Sequence, residues 1–185
     1  MSTTGRFTTL GTTLQRISHM LLDVNNPDEK IRQSARNICK LLYYTEDNPL
    51  EQPTGTPLNP DQPRPTFEDI QDVRDHIIRK RVLLVPRVPL EEERGAFIVA
   101  IIDNFTLSEN KQFKVNTLIF DVLTHYDNWH LEDNLRPFLI MQEIDNIFNN
   151  RKLSIGRVEF NTGRTIVLTP YMLGYQLVYR DVTFN

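Results

Sequence analysis

The stretch FKVNTLIFDVLTHYDNW, residues 113–129, indicates the fold because its side chains alternate as a β-strand requires. Successive side chains of a strand point to opposite faces, so Phe120 and Val122 share one face and Asp121 lies on the other. A second stretch, AFIVAIIDNF at 96–105, is apolar on both faces, which is typical of a strand inside a sheet. The two stretches predict a pair of long, central strands.

Helical periodicity surrounds this pair. Apolar residues recur at steps of three and four over 10–24, 28–44, 67–77 and 135–150. Shorter strands are predicted in RVLLVPRV, where prolines favour a sheet edge, and in GRVEF, TIVLTP and GYQLVYRDVTF. The predicted class is therefore α+β, a mostly antiparallel sheet of about five strands packed with helices. Strands this apolar also need cover on their second face, from helices or from another subunit.

The chain is predicted to be one domain over 1–185, with N-terminal helices at 1–44 and a helix-plus-sheet core at 67–185. Between them lies TEDNPLEQPTGTPLNPDQPRPT, the proline-rich arm, residues 45–66, which holds six of the eleven prolines. Such density blocks helix and ladder hydrogen bonds and favours an extended, polyproline-like path. Two interpretations stay open, a mobile surface loop or an arm lying on a partner subunit. The candidate partner-binding residues of the arm are Pro49, Leu50, Pro53, Pro57, Pro60 and Pro63.

Composition excludes several classes of protein. The 185 residues are 39% hydrophobic and 24% charged, which is typical of a folded domain. Basic and acidic residues nearly cancel, and the net charge of −3 gives no general nucleic-acid footprint. No apolar run approaches the roughly 20 residues that span a bilayer, and the N-terminus lacks a signal-peptide profile. The single cysteine, Cys39, excludes an intramolecular disulfide, fits a reducing cytoplasm, and is predicted to be a buried, inert thiol.

The densest group of reactive side chains lies in FDVLTHYDNWH, residues 120–130. His125, Asp127 and His130 can be combined into a metal site, yet the other histidines fall on predicted helices and no HExxH or paired CxxC motif accompanies them. We therefore interpret the stretch as the end of a strand. Trp129 is predicted to anchor the following turn together with Tyr126, and His125 and Asp127 to make hydrogen bonds at a sheet end or subunit contact.

Charged residues elsewhere in the chain have alternative interpretations. Asp121 lies in an apolar strand, where a partner such as an arginine from the sheet or from a neighbouring chain is favoured over catalysis. A short predicted helix ends in Arg79, Lys80 and Arg81, and these cations complement its C-terminal dipole. Together with Arg87 they also define an alternative, a nucleic-acid-binding patch. No GxSxG, Walker or GxGxxG motif occurs, so no catalytic or cofactor-binding residue is predicted.

The second half of the chain resembles small neck and tail-completion proteins of tailed bacteriophages, notably the tail-terminator group. The residues that carry this resemblance are LIFDVLTHYDNW, then LRPFLIMQEIDNIFNN, then GRVEFNTGRTIVLTPYMLGYQLVY. The shared pattern is a strand of F-x-V-x-x-H-x-D-x-W type, a helix carrying LRP and EID-x-F-N, and a last strand with GY-x-L-x-Y. It covers residues 96–184, and the N-terminal helices and the proline-rich arm lie outside it.

The resemblance implies a virion structural protein, assembled in the bacterial host cytoplasm, that forms a ring between the tail tube and the head connector. Such a ring, typically a hexamer, stops tube polymerisation and docks the tail to the head. Its implied partners are further copies of the chain and the adjacent neck, connector and tail proteins, with no membrane, no cofactor, and DNA at most passing through the lumen. A ring with head-to-tail contacts needs two different patches on each subunit, and the arm and the sheet edges are the candidates. The alternatives are another neck layer, such as a head-completion or adaptor protein, or a metal-dependent enzyme using His125, Asp127 and His130.

Overall fold

The computed structural model describes residues 6–51, 70–84, 89–107, 113–153 and 156–181. In that part of the chain the helices are α1 (Arg6–Leu21), α2 (Glu29–Tyr43), α3 (Ile70–Ile77) and α4 (Arg136–Phe148), with short 3-10 helices at Pro49–Glu51 and Tyr126–Asn128. The strands are β1 (Val82–Leu83), β2 (Ala96–Leu107), β3 (Phe113–His125), β4 (Arg151–Leu153), β5 (Gly156–Val167) and β6 (Met172–Asp181). None of these helices combines the length and apolar character needed to cross a membrane.

Helix α2 shows how the sequence sets the bounds of an element. The Asp28 side chain accepts hydrogen bonds from the backbone N–H groups of Lys30 and Ile31 at 3.0 and 3.3 Å, and so satisfies donors that a helix start leaves without partners. The buried side chains then recur every three or four residues, namely Ile31, Ala35, Ile38 and Leu42. The helix predicted over 28–44 is confirmed. Helix α1 ends at Leu21 rather than at residue 24, because the Leu22 and Val24 N–H groups bond His19 and Leu22 in a turn.

Within the described residues the sheet has six strands, in the spatial order β1-β2-β3-β6-β5-β4. All neighbouring strands are antiparallel except β1 and β2, which run parallel over two residue pairs, Val82 with Ile98 and Leu83 with Val99. Strands β2 and β3 form one antiparallel pair, and β5 and β6 form another. The pairing of β3 with β6 joins the two in the middle of the sheet. The α+β class with a mostly antiparallel sheet is confirmed, and the proline-rich RVLLVPRV stretch supplies the short edge strand.

The two faces of the sheet are covered differently. All four helices pack on one face, where the main core joins their apolar side chains to strand residues such as Ile98, Phe120, Leu177 and Tyr179. Phe120 lies against Phe148 of α4 with ring centroids 4.9 Å apart. The opposite face carries a smaller cluster of buried residues, Leu83, Phe97, Val99, Leu123 and Met172. The helices therefore cover a single face in the described residues.

Strand β5 differs from the prediction of two short strands separated at Asn161-Thr162-Gly163. It is continuous, because the ladder shifts register between Phe160 and Thr162, a β-bulge that leaves Asn161 without an opposite residue. Gly163 then pairs with Leu177 inside the ladder. The sheet gains the short strand β4 as well, so it has six strands rather than about five.

Two other predicted boundaries change. Strand β3 ends at His125 instead of reaching residue 129, because residues 126–128 turn into a 3-10 helix. Helix α3 ends at Ile77, and Arg79 has a φ of 68°, a left-handed conformation that commonly stops a helix. The three cations thus lie beyond the helix, not in its last turn. In the proline-rich arm, Pro53, Pro57, Pro60 and Pro63 lie outside the described residues.

Candidate functional site

The turn after β3 holds several of the predicted site residues. His125 is the last residue of β3, is 2% exposed, and pairs with Met172 across the ladder. Its Nδ1 atom accepts a hydrogen bond from the Asp127 backbone N–H at 3.2 Å, and its ring stacks on Tyr126. The predicted hydrogen bond at a sheet end is confirmed, and a partner-binding role for His125 stays a prediction.

The residues of the metal hypothesis do not form a ligand set. Asp127 Oδ2 lies 3.6 Å from His125 Nδ1 and 3.3 Å from Arg94 Nη1. His130 is exposed and meets Leu135 as an isolated β-bridge. Within the described ranges, no group of three or more His, Cys, Asp or Glu side chains is placed to hold a metal ion. The alternative of a metal-dependent enzyme has no supporting geometry there.

Asp121 lies in a polar row that crosses three strands. Register places it opposite Gln176 of β6, which in turn lies opposite Arg164 of β5. Gln176 Nε2 donates to Asp121 Oδ1 at 2.7 Å, and Arg164 Nε donates to Gln176 Oε1 at 2.8 Å. Burial raises the pKa of Asp121, and the Gln176 hydrogen bond and the Arg164 charge oppose that shift. The predicted arginine is therefore present in the sheet, but it acts through a glutamine.

Aromatic residues hold the turn, and the predicted Trp129 is one of them. Tyr126 is 54% exposed and its ring stacks on His125 with ring centroids 4.7 Å apart, so its role in anchoring the turn stays a prediction. Trp129 is half-buried and lies 6.1 Å from the Tyr175 ring of β6. Tyr175 also contacts Phe138 of α4, with centroids 4.9 Å apart. These rings connect the turn to the sheet and to the start of α4.

Beyond this aromatic contact, an apolar groove of about 340 Å³ runs between α4 and the β5–β6 pair. It is lined by Phe138, Met141, Gln142, Asp145, Phe160, Leu177 and Tyr179. Phe138 and Phe160, on opposite walls, are 41% and 45% exposed. At its base the Tyr179 hydroxyl donates to Asp145 Oδ1 at 3.0 Å. Burial and then the Asp145 charge raise the pKa of Tyr179, so the phenol stays neutral.

Strand β5 presents an unpaired outer edge next to this groove. Strand β4 pairs only with residues 156–158, so from Glu159 to Val167 no described strand lies against the outer side of β5. Leu168 N–H donates to Met172 O, and bonded and non-bonded pairs alternate along an antiparallel ladder. The N–H groups of Val167, Thr165 and Gly163 therefore point outward. A long exposed edge is a template for pairing with another chain.

A second unpaired edge lies on the other side of the sheet. Strand β1 covers β2 only at Ile98 and Val99. From residue 100 to residue 107, β2 pairs with β3 alone among the described residues. The two open edges belong to different strands, β2 and β5, near opposite ends of the strand order. The sheet thus carries two distinct surfaces, as a head-to-tail contact between copies requires.

Arg136, at the first position of α4, connects the N-terminal helices to this region. It is fully buried, and its guanidinium donates to the carbonyl groups of Asn128, Leu41, Tyr44 and Glu46 at 2.9, 2.8, 2.6 and 2.6 Å. Two of these carbonyls lie at the end of α2, where a helix leaves acceptors without partners. Burial lowers the pKa of Arg136 to about 10, and the nearby carboxylates of residues 46 and 47 oppose the shift.

The remaining predicted partner-binding residues are placed as follows. Arg79 and Lys80 are exposed, whereas the Arg81 guanidinium lies over the Phe97 ring, 4.5 Å from its centroid. Such a cation–π contact holds Arg81 against the sheet. Pro49 is buried, and the Leu50 carbonyl accepts a hydrogen bond from Lys40 Nζ at 2.7 Å. The start of the proline-rich arm is therefore attached to α2 of its own chain.

Sequence reasoning missed the groove and the clamp at Arg136. Phe138 and Phe160 are separated along the chain by all of β4, and only the pairing of β5 with β6 brings Phe160 beside α4. An exposed phenylalanine in a helix was the available signal. Nothing in the local sequence signals the clamp at Arg136, since its acceptors on α2 lie roughly 90 residues earlier in sequence.

Comparison with known proteins gives one match. Over residues 35–180 the chain matches the model of the YomW family, a range that starts within α2 and extends almost to the end of β6. No curated protein and no solved structure matches the chain. The family name is phage-derived, of a Bacillus prophage type. The chain therefore belongs to the YomW family and is a phage-associated protein.

Proposed function

We propose that this protein is a virion structural subunit that forms a homo-oligomeric ring at the head–tail interface of a tailed phage, as a tail terminator does. The observation that carries the proposal is the pair of unpaired sheet edges on β2 and β5. Membership of a phage-derived family and the resemblance of residues 96–184 to neck and tail-completion proteins support the setting. Adjacent neck and tail proteins would be the further partners.

The length and exposure of β5 favour an assembly role. Strands average about five or six residues, whereas β5 extends over 156–167. Most of its second half is exposed, and Val167 at its end is 73% exposed. Soluble proteins normally block such an edge with charge, proline or a covering element. In a ring, the β5 edge of one subunit and the β2 edge of the next would cover each other.

The use of two different edges allows the subunits to close into a ring. A contact between identical patches gives a dimer, whereas a contact between two different patches repeats around an axis and closes when the rotation permits. Backbone hydrogen bonds supply the attraction, and the side chains beside each edge set the register. Asp121, Gln176 and Arg164 lie on the sheet face that carries no helices. In such a ring, this polar row would lie on one surface of the assembly.

The test is a substitution that removes one outward N–H of β5. Thr165→Pro deletes a donor that β6 does not use, because the Thr165 N–H points away from β6, and proline is accepted on edge strands. Thr165→Ala is the matched control, since it keeps the N–H. We expect native mass spectrometry and negative-stain electron microscopy to show rings for the parent chain and for Thr165→Ala. Thr165→Pro should give monomers of nearly unchanged thermal stability.

Location in the particle is the second readout. Antibody labelling of intact virions should place the chain at the junction of head and tail. Labelling inside the capsid or on the distal tail, or absence from the particle, would contradict the proposal. A ring at the junction that binds the head connector but not the tail tube would identify another neck layer instead of a terminator. Rings that persist in Thr165→Pro would show that the β5 edge does not join the subunits.

A further inference from the structure

The groove between α4 and the β5–β6 pair has the composition of a site for a proline-rich segment. Its walls are the exposed rings of Phe138 and Phe160, with Tyr179 at the base. The Phe160 ring meets Tyr179 edge-on, with centroids 5.8 Å apart. Aromatic-lined grooves bind polyproline II segments, because the flat rings accept proline rings and the segment loses little entropy on binding. The carboxylate of Asp145 adds one negative charge to this groove.

The proline-rich arm of the same sequence has the matching pattern. Pro57, Pro60 and Pro63 stand three residues apart. Three residues make one turn of a polyproline II helix, so this spacing predicts three proline rings on a single face. Arg64 follows directly, and its charge complements Asp145. The arm thus offers both a row of prolines and a cation at its end.

The attachment points of the arm favour the groove of a neighbouring subunit. Leu50, just before residues 52–69, is bonded to Lys40 of α2. Arg74, just after them, donates to the Leu22 carbonyl at 3.0 Å. Both ends are therefore held on the α1–α2 side of the chain. About 18 residues at roughly 3.1 Å each give a contour of about 55 Å, enough to extend out and return.

The chain's own groove opens on the other side of α4. Glu143 faces α2, where its Oε1 atom accepts a hydrogen bond from Asn37 Nδ2 at 2.7 Å. Asp145 lines the groove. Residues two apart on an α-helix lie about 200° apart around its axis. To fill its own groove the arm would have to fold over α4 and come back.

We infer that the groove between α4 and β5–β6 binds the proline-rich arm of a second copy of this chain, through Pro57, Pro60 and Pro63. This inference rests on the proposed ring, and it adds to the strand edges a contact in which each subunit is held by its neighbour's arm. The groove adjoins the open β5 edge, so both contacts lie on the same side of the subunit.

The first test is a disulfide between chains. A tagged Pro60→Cys chain is mixed with an untagged Gln142→Cys chain and oxidised, because Gln142 is exposed at the groove. The buried native Cys39 remains in both as an unreactive background. We expect a disulfide-linked heterodimer, and we expect none with Gln33→Cys, a matched exposed glutamine on α2. In a chain carrying both new cysteines, a disulfide within the chain would show that the arm fills its own groove, and would overturn the inference.

The second test needs no ring. A fluorescent peptide of residues 52–66 is titrated with the full chain and followed by anisotropy. We expect saturable binding that weakens about tenfold, equivalent to about 1.4 kcal/mol, in Phe160→Ser or when Pro57, Pro60 and Pro63 of the peptide are alanine. Leu90→Ser, at an exposed apolar residue outside the groove, is the control and should leave binding unchanged.

The outcomes separate this inference from the proposed function. Rings that form with neither the disulfide nor peptide binding would overturn the inference and leave the ring intact. Peptide binding that Phe160→Ser does not weaken would also overturn the inference, since the arm would then bind elsewhere. A chain that binds the peptide in the groove but never forms a ring would contradict the proposed function instead.

Discussion

Replacing Arg136 by methionine should destabilise the folded chain by about 3 kcal/mol. Methionine keeps an unbranched apolar stem but leaves four carbonyl groups, on both sides of the α2–α4 junction, without their donor. At a net value of about 1 kcal/mol for each hydrogen bond, four amount to about 4 kcal/mol. Burial lowers the pKa of the guanidinium to about 10, so the cost of burying its charge offsets part of that gain. The methionine variant does not carry this cost.

Lysine at position 136 is the informative intermediate. It keeps a positive charge but has three donors on one nitrogen and cannot reproduce the planar fork of arginine. We expect it to lose about half as much, roughly 1.5 kcal/mol. Arg180→Met, an exposed arginine on β6, is the control and should change stability by no more than about 0.5 kcal/mol.

The assay is urea unfolding followed by the fluorescence of the single tryptophan. Trp129 reports on this junction, because its carbonyl accepts the Arg136 backbone N–H at 2.9 Å. With a slope of about 2 kcal/mol per molar urea, a loss of 3 kcal/mol moves the midpoint by about 1.5 M. A methionine variant within about 1 kcal/mol of the parent chain would refute the reasoning, since the four carbonyls would then not depend on the guanidinium.

Three further predictions follow from the sheet. Gly174→Ala should lower the free energy of unfolding by at least about 2 kcal/mol, because a Cβ at this position would overlap Val122 O and lie 2.9 Å from the Val122 carbonyl carbon. Calorimetry on the purified protein checks this, and an unchanged melting temperature would contradict it. Asp121→Asn should raise the urea midpoint at pH 7, because burial raises the pKa of this carboxyl and its charged form therefore destabilises the fold. The gain in stability should vanish at lower pH, where Asp121 of the parent chain becomes protonated. Above about pH 10 the Tyr179→Phe variant should lose less stability than the parent chain, because the raised pKa of Tyr179 stabilises the folded parent and that contribution fades as the pH rises. Equal losses of stability at alkaline pH would show that burial and the Asp145 charge do not raise this pKa.

Local chemistry made several elements predictable. The Asp28 cap and the apolar stripe of α2 lie within one short segment, so the helix follows from sequence alone. Alternation in β3 likewise placed Phe120 and Asp121 on opposite faces of the sheet, and in the structure Phe120 lies in the larger core. A side-chain period of two sets the face of a residue, and it does so without any knowledge of the neighbouring strand.

Pairing between distant segments decided what the sequence did not reveal. Asn161-Thr162-Gly163 has the composition of a turn, and only the ladder with β6 shows that a bulge absorbs it. The partner of Asp121 depends on register, which places Gln176 opposite it and Arg164 one strand further. The groove depends on the same register, because it places Phe160 beside α4.

The strand order also determines when the β5 edge forms during synthesis of the chain. Strand β3 pairs with β6 in the sheet, but β3 is synthesised before α4, whereas β6 is the last strand of the described sheet to leave the ribosome. Pairing across so long a separation is slow and comes late in folding. Strand β5 has no backing until β6 is in place. A nascent or truncated chain that stops before residue 172 therefore lacks the strand that supports the β5 edge, and in the proposed ring such a copy would not join its neighbours.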